Sequence, residues 1–108
     1  MKKRMLLLTS ILSATYLVSP ALAQSPADIY KAKCAMCHGA DGSANTPAGK
    51  ATKARDFHDP DVIKATDADL TTAIAKGRNK MPAFSKQYNE EQMKALVAYV
   101  RDMQKPSK

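Results

Sequence analysis

The sequence predicts a single small all-α domain behind an N-terminal leader. Three observations carry that prediction. No stretch after residue 23 alternates apolar and polar side chains in the manner of a strand. Capping residues stand ahead of three segments whose apolar positions recur at helical spacing. The same part of the chain holds no Trp, two Phe and three Tyr, too little bulk for helices to close a core unaided.

The first 23 residues read as an address. Lys2, Lys3 and Arg4 form a charged start, and Met5 to Val18 is mostly apolar. Ser19-Pro20 breaks the run, and Ala21-Leu22-Ala23 sets small residues where a signal peptidase reads. A membrane anchor is the rival. The run is short of the roughly 20 apolar residues a span needs, and Thr9, Ser10, Ser13 and Thr15 dilute it. Residues 1–23 are therefore expected to be a cleaved secretory signal, leaving 24–108 as one exported domain, periplasmic rather than in a thylakoid lumen. Removal of the leader takes three of 17 basic residues and none of 10 acidic ones, so the net charge falls from +7 to +4. No long Lys/Arg run remains, which argues against nucleic acid as a partner.

Ser25-Pro26 opens the first helix, with Ser25 as N-cap, Pro26 at the first helical position and Asp28 as a capping-box acid. The helix is expected to reach about Cys37. Tyr30, Cys34 and Cys37 then share one face. Residues 39–58 read as loop, punctuated by Gly39, Gly42, Pro47 and Gly49. Asp59-Pro60 caps a short turn through Val62 and Ile63. Thr66 with Asp67 and Asp69 forms a second capping box. Leu70, Ala73, Ile74 and Gly77 mark the buried stripe of the following helix, which Gly77 stops. A loop from Arg78 to Tyr88 contains Met81-Pro82. Asn89, followed by Glu90, Glu91 and Gln92, starts the last helix, with Met93, Leu96, Val97, Val100 and Met103 as its apolar face.

Cys34-Ala35-Met36-Cys37-His38 is C-x-x-C-H, the signature of covalent haem attachment. Two thiols separated by two residues at a helix end reach the two vinyl groups on one porphyrin edge, and the next residue lays its imidazole at the iron. A thioredoxin-like pair would need strands. A zinc site lacks further ligands, since the one other His, His58, lies 20 positions on and no third Cys exists. A structural disulfide leaves His38 unexplained. A covalent haem would also supply the missing core.

For a sixth iron ligand the chain offers Met36, Met81, Met93, Met103 and His58. Met36 lies between the thiols and points away from the ring. Met93 and Met103 sit at core spacing on the last helix. His58 reads as a surface residue beside Asp59. Met81 belongs to no apolar stripe, and Pro82 biases it towards extended backbone, so it is the candidate ligand.

Together these residues resemble the short monohaem class I c-type cytochromes, the small bacterial and photosynthetic electron carriers. Three blocks carry the resemblance: Ile29 to Gly39 around C-x-x-C-H, Asn79-Lys80-Met81-Pro82-Ala83-Phe84, and Leu96-Val97-Ala98-Tyr99-Val100. It implies the small class I cytochrome c fold, with N- and C-terminal helices packed across each other around one covalent haem. It implies that Cys34 and Cys37 bind haem c, that His38 and Met81 ligate its iron, and that the Pro47 carbonyl accepts the His38 Nδ1–H bond. Tyr30 would pack against Leu96 and Tyr99, and Pro26 stands where the family often has Gly.

The resulting expectation is a monomeric one-electron carrier and no enzyme. Its partners would be membrane or periplasmic oxidoreductases that donate and accept electrons, steered by Lys76, Arg78, Lys80 and Lys86 around the Met81 loop. Lys53 and Arg55 are candidates for neutralising the propionates. A peroxidase-like haem enzyme or gas sensor with an open sixth site, and a fixed subunit of a larger periplasmic oxidoreductase, are the rival functions.

Overall fold

The computed structural model describes residue 11, residues 13–15 and residues 24–106. Nearly all of the expected leader lies outside the described residues. Six helices follow in order: α1 Pro26–Lys33, α2 Ala35–His38, α3 Pro47–Thr52, α4 Pro60–Lys64, α5 Asp67–Lys76 and α6 Glu90–Gln104. The described residues contain no strand beyond an isolated bridge between Arg78 and Met81, and no helix long and apolar enough to cross a membrane.

The capping signals place the helix starts correctly. Ser25 Oγ accepts from Asp28 N–H at 3.2 Å, and Thr66 Oγ1 from Asp69 N–H at 3.0 Å. Neither is a full capping box, however. Among the described residues only Asn89 and Gln92 exchange bonds both ways. An Asp at the third position is one methylene shorter than the Glu or Gln that reaches back to the N-cap amide. Asp59 precedes α4 in extended backbone, as a residue before proline must, but its side chain makes no capping bond.

Two expectations need correction. The first helix does not run unbroken to Cys37: it is interrupted at Cys34, whose φ of −115° and ψ of −37° stretch the right-handed helical conformation between α1 and α2. And the segment 39–58 is not all loop, because Thr46-Pro47 starts α3, a six-residue helix.

The core gathers Ile29 and Tyr30 of α1, Phe57, Val62 of α4, Phe84, Tyr88 and the α6 residues Met93, Leu96 and Val100. α1 crosses α6 with the Tyr30 and Tyr99 rings 5.2 Å apart, so Pro26 does not keep the terminal helices from meeting. The expected buried stripe of α5 is different. Leu70, Ala73 and Ile74 are only half-buried, and α5 has no buried residue. Its apolar side faces a cavity.

Arg101 ties α4, α5 and α6 together. Its guanidinium donates to the carbonyls of Val62, Ile63 and Ala65 at the end of α4, and to Asp67 Oδ1 at 2.9 Å. Hydrogen bonds to charged groups stabilise by about 1.5–3 kcal/mol each. These satisfy carbonyls that a five-residue helix leaves without partners.

Candidate haem site

Two stretches of backbone present the functional side chains, and each is fixed locally. Cys34 N–H still bonds to Tyr30 O, and His38 N–H bonds to Cys34 O, so the turn between α1 and α2 stays helical in its hydrogen bonding despite the break. The Tyr30 hydroxyl donates to Gly39 O just beyond His38. Thr46 Oγ1 lies 2.8 and 2.9 Å from the carbonyls of Met36 and Cys37 and accepts from Gly49 N–H. A Cβ on Gly49 would come within 2.3 Å of Cys37 O, so α3 packs on α2 at a distance only glycine permits. The helix that the sequence pattern does not reveal thus holds the end of the C-x-x-C-H segment.

On the far side, Arg78 N–H bonds to Met81 O and Met81 N–H to Arg78 O, closing a tight turn over Asn79 and Lys80. Asn79 takes φ of +53°, a region Asn tolerates better than most residues. Phe84 N–H to Ile74 O then ties the loop to α5.

Between these stretches lies a cavity of about 410 Å³. Cys34, Cys37, His38 and Met81 all line it, as do Leu70, Ile74, Leu96, Val97 and Val100. The four residues singled out from the sequence therefore meet at one site. Lys53, Arg55, Arg78 and Lys80 also border it. Arg55 pairs with Asp61 at 3.0 Å.

His38 is half-buried, and burial lowers its pKa, which favours the neutral imidazole that a metal requires. Its Nδ1 lies 2.9 Å from a backbone carbonyl, so Nδ1 carries the proton and Nε2 keeps a free lone pair. The acceptor is Arg55 O. The expectation that Pro47 supplies it is wrong: Pro47 is the first residue of α3 and turned to another use. The Phe57 ring stacks on the imidazole, with centroids 4.5 Å apart.

Cys34 and Cys37 are half-buried and form no disulfide. Burial, with Cys37 as the lesser cause, pushes the Cys34 thiol up to about 11. A redox-active C-x-x-C pair needs the opposite shift, towards the thiolate. The donor set fits haem: two cysteines, one imidazole with a free nitrogen and one thioether around a cavity whose lining mixes aliphatic side chains with a border of cations.

Among the described residues, the other candidate sulfurs and the second histidine are elsewhere. Met36 is 78% exposed, Met93 is buried in the core, and Met103 packs against that core. His58 sets Nδ1 at 2.8 Å from Asp56 Oδ1 and Nε2 at 2.9 Å from Met103 O.

A small helical fold around an apolar cavity, with C-x-x-C-H on one wall and a methionine loop among the others, defines a c-type cytochrome. Residues 21–100 match the family described as cytochrome c oxidase, cbb3-type, subunit III, and the chain belongs to that family. Cytochrome c6 of a Synechococcus species is 32% identical over 100 residues, covering 90% of this chain and 87% of the relative. Cytochrome c6 of a Nostoc species is 35% identical over 85 residues, covering 76% and 74%. The solved KustC0563 c-type cytochrome superposes with a TM-score of 0.68 at 32% identity, covering 76% of this chain and all of that one. The chain is accordingly a haem c protein that carries electrons, and its partners are redox proteins.

The His58 geometry has a pH consequence. Both ring nitrogens face oxygen acceptors, so only the imidazolium makes both bonds, and the Asp56 hydrogen bond, then that of Met103, raises its pKa. A raised folded pKa contributes stability that is complete below the ordinary value of about 6.5 and lost as pH rises through the folded value. His58→Leu should therefore destabilise the haem-loaded protein more at about pH 5.5 than at about pH 8.5, by urea unfolding. The difference should stay within about 1 kcal/mol, because solvent screens this exposed pair. An equal loss at both pH values would show that the imidazolium adds nothing.

Proposed function

We propose that the chain is an exported, diffusible one-electron carrier, its haem held by thioethers from Cys34 and Cys37 and its iron ligated by His38 and Met81. The observation that carries this reading is the convergence of those four side chains on a single apolar cavity. The bound haem supplies the one-electron couple of its iron. The chain supplies the rest. Cys34 and Cys37 would hold the ring to the α1–α2 turn through thioethers. His38 offers Nε2 while Arg55 O holds Nδ1–H, which fixes the tautomer and strengthens the ligand. Met81 offers a soft thioether, which favours the ferrous state. With His38 and Met81 both holding the iron, no place would remain for a substrate, and this reading is of a carrier and not an enzyme. The apolar side chains around the cavity exclude water, so little rearranges when the electron moves.

Residues 1–23 fit a cleaved signal for the periplasm, where thiols and haem are joined. The exposed Lys76, Arg78, Lys80 and Lys86 cluster around the Met81 turn and suit acidic docking surfaces on donor and acceptor oxidoreductases.

A second reading is a fixed subunit of a larger oxidoreductase. The family description favours it, as does a 32% identical match to the cytochrome bc1 complex cytochrome c subunit of Mycobacterium bovis, although the chain spans only 25% of that protein. A free carrier purifies as a monomer whose electron exchange with an acidic partner slows as salt rises, since charges beyond roughly 8 Å are screened at physiological ionic strength. Co-purification with a larger complex, at rates indifferent to salt, would favour the subunit.

The ligand assignment predicts that the ferric protein shows the weak near-infrared band of an iron–thioether bond. Met81→Ala should abolish the band, lower the potential and admit carbon monoxide to the ferrous iron. Met93→Leu should change none of these and cost under about 1.5 kcal/mol of stability, because it alters packing alone. A Met81→Ala protein that keeps the band would remove Met81 as the ligand.

A further inference from the structure

Phe57 is held from several directions, through its main chain and its ring. Its N–H donates to Gly42 O at 2.9 Å, and Gln104 Nε2, at the end of α6, donates to its carbonyl at 2.8 Å. The ring lies against Gly42, where a Cβ would sit 2.6 Å from Phe57 Cδ2, so glycine clears the space the ring occupies. Gly42 also has φ of +77°, which disfavours any other residue there. Tyr30 flanks the ring at 6.3 Å between centroids, tilted by 60°. The other face lies on His38, at 4.5 Å and 23° between planes. Phe57 is thus a platform with one open task.

We propose that Phe57 is a positioning residue for His38, its ring fixing the plane of the imidazole beneath the haem. The inference rests on the reading of His38 as an iron ligand. The hydrogen bond from Nδ1 to Arg55 O pins one corner of the imidazole. A single bond leaves the ring free to swing about that corner. Contact with a flat, immobile face removes the swing. Arg55 and Phe57 lie two residues apart in one segment, so both restraints move as a unit, and Gln104 ties that unit to α6.

The plane of an axial imidazole governs how unpaired spin spreads over the four ring methyls of ferric low-spin haem. Proton NMR of the ferric haem-loaded protein therefore reads it directly. Phe57→Leu keeps apolar bulk and removes the flat face, and it should change the order or spread of the four methyl shifts. Phe57→Tyr keeps the face and should preserve them. Met93→Ala, a core change outside the cavity lining, should lower the melting temperature and leave the methyl pattern as in the unaltered protein. An unchanged pattern in Phe57→Leu, at whatever melting temperature, would overturn the proposal. So would a Phe57→Tyr or Met93→Ala variant that shifts the pattern as far as Phe57→Leu does. The ligand reading fails separately: the unaltered protein would then lack the strongly shifted His38 ring protons of an iron-bound imidazole.

Discussion

The fold depends on filling the space between His38 and Met81. Leu70 and Ile74 of α5 line the cavity from one element, and Leu96, Val97 and Val100 of α6 from another. The α5 side chains are left only half-buried by the protein alone. Apolar surface removed from water stabilises by about 25 cal/mol per Å², and for α5 most of that gain requires a body in the cavity. Haem supplies it. Covalent attachment makes that body part of the chain, which adds to the core of so short a sequence with no Trp in it.

The two sides of the site are built by different means. Around His38, backbone and side chains from several segments converge: Thr46 on the carbonyls of the C-x-x-C-H turn, Tyr30 on Gly39, Arg55 O on the imidazole. Met81 instead rests on one tight turn, anchored to the end of α5 where Gly77 lets the backbone approach. A Cβ on Gly77 would meet Met81 O at 2.6 Å. The attachment side is therefore the more heavily restrained, and the methionine side hangs on fewer bonds.

Much of this was legible in the sequence because the signals are local. Ser25-Pro26, Thr66 and Asn89 announce helices through side chains that reach their own first turn. C-x-x-C-H fixes chemistry by spacing, and Met81 stands out by belonging to no stripe. What stayed hidden lacks a local signature. α3 is too short and too rich in small residues to show an apolar period, although Thr46-Pro47 repeats the cap seen at Ser25-Pro26. The acceptor for His38 is a main-chain carbonyl, which any residue could provide, so Arg55 was not distinguishable from Pro47. Leu70, Ala73 and Ile74 show the right period for burial. Periodicity does not say whether the burial is against protein or against a prosthetic group.

The central claim is that the haem completes the core. Its most direct test is the thermal unfolding, followed by far-ultraviolet circular dichroism, of the haem-loaded protein beside a Cys34→Ser, Cys37→Ser chain that takes up no haem. The account predicts one cooperative transition with haem. Without it, helices of 4 to 15 residues are too short to persist on their own, and the chain should be largely unfolded with no sigmoidal melt. A haem-free chain of native helicity that melts cooperatively would contradict the claim, since the protein side chains alone would then suffice for the core.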